Sequence, residues 1–143
     1  MKKNDGFYRA YAHGICKGKE GPMGIGLVVV NPEGQVIRQL SEWGHTGTKE
    51  RAEYLAVVYA LEEAYSADVL RVELRTDSEL VVRQLDGEFQ GEDIDLKDLH
   101  HSAASLLEAF ESSRYVYWDR EEMLQADTLA RAGFDEDGAP KNS

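Results

Sequence analysis

At 143 residues and 16.0 kDa the chain can build one domain with a substantial core and is too short for two comfortable ones. Its formal net charge of -11, with a pI near 4.8, excludes a protein that coats nucleic acid through bulk electrostatics, so a polyanion partner would need a local basic patch or bound cations. Cys16 is the single cysteine, which rules out an internal disulfide and an all-cysteine zinc site and fits a reducing compartment with no disulfide-linked partner.

Phe7 to Ala12 reads as a first strand, followed by a glycine-rich connection, GICKGKEGPMG, and a second strand at Ile25 to Val30. Asn31-Pro32-Glu33-Gly34 is a turn, and Gln35 to Trp43 makes a third strand, so the three form an antiparallel meander. A polar loop, GHTGTKE, then leads to a helix capped by Thr48 that runs to about Ser66, with Ala52, Leu55, Ala56, Tyr59 and Ala60 on the face turned to the sheet. Val69 to Thr76 is the next strand, with Val72 and Leu74 alternating against charged neighbours, and Ser78 to Leu85 the next helix. Thr76 and Glu79 have capping-box spacing there, and Asp86-Gly87 ends the helix. The acidic connection EFQGEDIDLKD reads as mobile and precedes a helix from Leu96 to Ser112. Tyr115 to Trp118 is a short aromatic strand, and Glu121 to Ala132 the last helix. The expectation is a single domain over residues 1–134, a mixed five-stranded sheet with helices on both faces, and a disordered polar tail over 135–143. No apolar run is long enough to cross a bilayer and the start MKKNDGFYRA lacks a signal peptide's apolar segment, so a cytoplasmic monomer away from membranes is expected.

Asp77 falls where a strand ends and a helix begins, the edge at which open α/β sheets collect ligands and catalytic groups. Glu53, in the first turns of the long helix, and Asp127, in the last helix, could converge there with the first strand. Phosphodiester hydrolysis uses a pair of hard divalent ions held by oxygen ligands, and carboxylates from separate elements are what such a site needs. Taken singly, each has a plainer explanation: Glu53 complements a helix dipole, and Asp127 pairs with Arg131 at i,i+4.

The motifs, taken together, resemble type 1 ribonuclease H from about Phe7 to Gly133. They are Gly21-Pro22 and Gly24-Ile25-Gly26 after the first strand, Ala52-Glu53 opening the long helix, Thr76-Asp77-Ser78 with Val81, and Arg120-Glu121 followed by Ala126-Asp127-Thr128-Leu129-Ala130. The resemblance implies a metal-dependent endonuclease that cuts the RNA strand of an RNA/DNA hybrid, reading duplex shape, phosphates and the 2′-hydroxyl. It makes Glu53, Asp77 and Asp127 catalytic metal ligands for Mg2+ or Mn2+, and Gly14, Ile15, Cys16, Thr48 and Ser78 the substrate-binding positions.

His13-Gly14 stands where the family has Asp-Gly, so His13 joins the expected catalytic and metal-binding set in place of the aspartate shared by two ions. A neutral imidazole brings one lone pair and no charge, suits zinc, manganese or nickel better than magnesium, and cannot bridge two ions. Lys49-Glu50-Arg51 and the acidic Gly91 to Asp95 depart from the family's substrate-facing residues in the same direction. Weakened two-metal hydrolysis is the first expectation, and a binding or interaction module that has lost catalysis is the second. His100 and His101 are adjacent on a helix and lack the i,i+4 spacing of a metal site, His45 reads as loop surface, and Tyr115, Tyr117 and Trp118 read as core and sheet face.

Overall fold

A computed structural model describes residues 5–88 and 91–141. Its strands are β1 (Tyr8–Cys16), β2 (Glu20–Val30), β3 (Val36–Thr48), β4 (Arg71–Thr76) and β5 (Ser112–Tyr117). They form one sheet in the order β3-β2-β1-β4-β5. β1 pairs antiparallel with β2 and parallel with β4, and β4 pairs parallel with β5, so the carboxyl ends of β1, β4 and β5 share one edge. The helices are α1 (Lys49–Ser66), α2 (Glu79–Leu85), α3 (Lys97–Ala109) and α4 (Leu124–Arg131), with short 3-10 turns at Gly91–Leu96 and Arg120–Glu122. The expected mixed five-stranded sheet is the one observed. Among the described residues no helix is long and apolar enough to cross a membrane.

Alternation along the strands sorts the two faces. Ala10, Ala12, Ile25, Leu27, Val72 and Leu74 turn toward α1 and are buried with it, while α1 buries Tyr54, Val57 and Leu61 between the sheet and α3. The opposite face meets α4 through Gly24 and Gly26, where an added Cβ would lie 2.1 Å from the Ala130 carbonyl and 2.0 Å from that of Ala126. Glycine here is a requirement of close approach: the last helix lies directly on the backbone of β2. Beyond α4, the same face carries Arg9, Glu73, Arg75 and Arg114 in a charged row. Glu73 accepts from Arg75 Nε at 2.7 Å and from Arg114 Nε at 2.8 Å, and Asp5 accepts from Arg114.

Four expectations need correction. β1 and β2 run to Cys16 and from Glu20, so the glycine-rich connection shrinks to three residues of a hairpin. β3 continues through the expected polar loop to Thr48, because its partners Glu20 to Pro22 on β2 extend the ladder. The helix after Asp77 is capped by Ser78, whose Oγ accepts from Val81 N at 3.2 Å; Thr76 Oγ1 instead accepts from Ser78 N at 3.1 Å. The tail is also folded as far as Lys141: Asp135 closes a turn with Ala139, the Glu136 carbonyl accepts from Lys17, and Gly138 lies against Pro22. Local hydrogen bonding of Asp135 outweighs the polar composition that suggested disorder. Of the acidic connection, Phe89 and Gln90 lie outside the described residues, and the part after them is a 3-10 turn.

Candidate active site

His13 lies near the carboxyl end of β1 on the α4 side of the sheet, paired with Gly26, and is 3% exposed. Asp77 follows the last residue of β4, one strand away. Parallel pairing of β1 with β4 aligns the two, and His13 Nδ1 lies 3.1 Å from Asp77 Oδ1. The close seat of α4 on Gly26 brings Asp127 to the other side of the ring, with Oδ1 3.0 Å from His13 Nε2. Two carboxylates far apart in sequence therefore meet around one imidazole.

Glu53 reaches the same edge from the first turns of α1. Gly14 lets it come so close: an added Cβ there would stand 2.2 Å from the Ala52 carbonyl and 2.6 Å from Glu53 N. Glu53 Oε1 accepts from Ser78 Oγ at 3.0 Å, which ties α1 to the start of α2. Burial pushes its carboxyl from 4.5 up to about 7, with Asp77 adding in the same direction and the Ser78 hydrogen bond and Lys49 opposing. Asp127 is biased the other way. Its burial is outweighed by the hydrogen bond from Arg131 Nε at 2.9 Å and by the neighbouring His13, which together hold it below the ordinary carboxylate range.

The ring nitrogens differ in their surroundings. Nδ1 hydrogen-bonds to Asp77, whereas Nε2 and Asp127 Oδ1 are both buried without a hydrogen-bond partner even though they face each other. The 3.0 Å contact is an ion pair whenever the ring carries its second proton. Among the described residues no group of three or more His, Cys, Asp or Glu side chains is placed to hold a metal ion. A pair of magnesium ions does not fit this arrangement, since it needs one carboxylate shared by both and the imidazole occupies that position. One ion beside Nε2 and Asp127 is compatible with the donors.

The expected substrate-binding positions divide. Thr48 Oγ1 accepts from Arg51 N at 3.2 Å and caps α1, and Ser78 caps α2 while holding Glu53. Gly14 is the contact point of α1. Cys16 Sγ lies 3.1 Å from the Gly47 carbonyl. Ile15 and Cys16 line an open groove of about 620 Å³ with Lys17, Arg120, Arg131, Phe134 and Lys141. Arg131, bonded to Asp127, joins this groove to the site. Sequence reading missed the groove, which needs the folded tail to form its far wall. Two other expectations concern neighbours: His100 Nε2 meets the Gln84 carbonyl at 3.0 Å, and His45 stacks on Trp43 with ring centroids 4.1 Å apart.

Residues 12–133 match the family model described as reverse transcriptase-like. The chain is 33% identical over 131 residues to a protein named ribonuclease HI from Halobacterium salinarum, a match covering 92% of this chain and 66% of that protein. Across the relatives matched by sequence it spans from 34% to 66% of their length. The crystal structure of RNase H1 from Halobacterium salinarum superposes with a TM-score of 0.85 at 33% identity, covering 90% of this chain and 97% of that one. LC11-RNase H1 in complex with an RNA/DNA hybrid gives 0.78 at 31% identity, covering 87% and 94%. With the family match running from within β1 past the end of α4 and the superposition covering 90% of the chain, the chain belongs to the reverse transcriptase-like family and has the ribonuclease H fold.

Proposed function

We propose that this chain is a ribonuclease H-like endonuclease that hydrolyses the RNA strand of RNA/DNA hybrids with a divalent metal, at a rate limited by His13. The observation that carries the reading is the meeting of Glu53, Asp77 and Asp127 at the shared carboxyl edge of β1 and β4. All four side chains come from one copy, which supports action as a monomer. The groove cations Lys17, Arg120 and Arg131 supply the local positive charge that an acidic chain needs to receive a phosphate backbone. A bound divalent ion supplies a polarised phosphoryl oxygen and a more acidic water. Because His13 adds nitrogen to the donor set, manganese is expected to serve better than magnesium.

A second reading, a hybrid-binding module without hydrolysis, is favoured by the His13 ring filling the space between Asp77 and Asp127. Cleavage of an end-labelled hybrid separates the two. Slow cutting by the native chain, faster with manganese than with magnesium, together with a rise of roughly tenfold or more in the magnesium rate for His13→Asp, is the expected outcome. A hybrid left intact by the native chain under both metals but cut by His13→Asp selects the binding module. Absence of cutting and of binding in both proteins defeats each reading.

A further inference from the structure

Two of the groove cations are already engaged. Arg131 is bonded to Asp127, and Lys17 donates through Nζ to the main-chain carbonyl of Glu136, in the tail. That second bond ties the first hairpin to residues 135–141, which wall the groove with Asp135, Glu136 and Lys141. An ammonium has three donors, so the carbonyl by itself does not shut the groove. The tail also sets the carboxylates of Asp135 and Glu136 among the cations, and a phosphate entering beside them is repelled. We infer that residues 135–141 are a strap that closes the groove in the free chain and competes with an incoming phosphate backbone for Lys17. The strap acts on the groove of the proposed nuclease and rests on its being the path of that backbone.

The tail is built to open as a unit. Its root is fixed: an added Cβ at Gly133 would lie 2.4 Å from the Glu42 carbonyl, and the Phe134 ring lies so close to Gly24 that a Cβ there would stand 3.1 Å from it. Past Phe134 the hydrogen bonds turn inward. Asp135 Oδ1 accepts from the amides of Asp137 and Ala139, at 2.9 Å each, and Asp135 N donates to the Ala139 carbonyl. These bonds lie within the strap and travel with it. What opening gives up is the Lys17 bond and the seat of Gly138 on Pro22, where an added Cβ would meet the proline Cγ at 2.3 Å. Contacts that few, made at the surface, place the strap at the low-stability end of the structure. A phosphate chain on Lys17, Arg120 and Arg131 replaces a neutral acceptor with charged ones, which are the stronger partners of an ammonium. The apparent affinity is the intrinsic one scaled by the open fraction, so a strap closed about nine-tenths of the time weakens binding about tenfold.

The test uses the full chain and a short inorganic polyphosphate, which carries the charge of a backbone without a linkage to cut. Isotope-labelled protein should show through-space proton contacts between Gly138 and the Pro22 ring when free, and lose them in excess polyphosphate. By calorimetry, Gly138→Ala should bind polyphosphate roughly three- to tenfold more tightly than the native chain, because its methyl group meets Pro22 and lifts the strap with no change of charge. Gly34→Ala is the control, with a similar positive φ and no atom within 4 Å of the added Cβ, and should bind as the native chain does. Contacts between Gly138 and Pro22 that persist in excess polyphosphate overturn the inference, since the tail is then a fixed wall. It is overturned equally if Gly138→Ala binds no more tightly than the native chain. The spectrum of the native chain decides the matter even should the variant fail to fold. Release by polyphosphate in a chain that leaves the hybrid uncut upholds the strap and defeats the nuclease reading; hybrid cleavage with the contacts intact does the reverse.

Discussion

Glu53 and Asp127 lie at one pocket with opposite ionisation biases. For Glu53 the folded carboxyl titrates at about 7, above its ordinary 4.5, so the native state holds the proton more tightly than the unfolded chain. The stabilisation from that proton is complete below pH 4.5 and is lost as pH rises through about 7. In metal-free protein the loss is up to about 3 kcal/mol, set by the rise from 4.5 to about 7. Glu53→Gln cannot ionise, so the difference in urea stability between native chain and variant should widen in the variant's favour from pH 4.5 to 8. Parallel profiles for the two proteins would contradict the buried, protonatable Glu53. Asp127 has the reverse sign, contributing stability above the ordinary carboxylate range and losing it in acid, and it cancels in that difference.

Elements are placed here by absent side chains as much as by present ones. Gly26 admits α4, and Gly14 admits the first turn of α1, each within van der Waals reach of backbone. Gly26→Ala would push Ala126 and Ala130 away and carry Asp127 with them. The expected cost is about 1–3 kcal/mol in chemical denaturation, with loss of whatever metal or hybrid affinity the native chain shows. Gly34→Ala tests the specificity of that claim, since no atom lies within 4 Å of an added Cβ there; its φ of +89° should leave a modest strain penalty and an undisturbed site. An unchanged site in Gly26→Ala would mean that α4 tolerates displacement. The capping hydroxyls act at the same scale: Ser78 both starts α2 and fixes Glu53, so one side chain sets a helix boundary and a carboxylate.

For the whole molecule, charge is distributed unevenly. The net -11 opposes a polyanion at long range, whereas Lys17, Arg120, Arg131 and Lys141 gather at one groove beside the site, with Asp135 and Glu136 among them. Reversing Lys17 and Arg120 to Glu should lower hybrid affinity about tenfold at low salt and reduce the slope of log affinity against log salt by roughly two, one for each phosphate contact removed. Hybrid binding with an unaltered slope would place the substrate elsewhere. The charged row of Arg9, Glu73, Arg75 and Arg114 is different in kind. Its charges are paired with one another and with Asp5, which suits the uncovered face of β4 and β5 more than a ligand.

Much of this was legible along the chain because it is local. Two-residue alternation marks strands, Thr48 announces a helix, and Glu53, Asp77 and Asp127 sit at element boundaries that sequence can locate. Tertiary structure decided what depends on partners distant in sequence: the extension of β3 along β2, the folding of the tail against the first hairpin, and the seat of α4 on Gly26. It also decided which ring nitrogen of His13 is hydrogen-bonded and which is left facing a carboxylate. A residue's type carries its chemistry, but its protonation and the direction of its lone pairs are set by burial and neighbours, and those exist only once the sheet has closed.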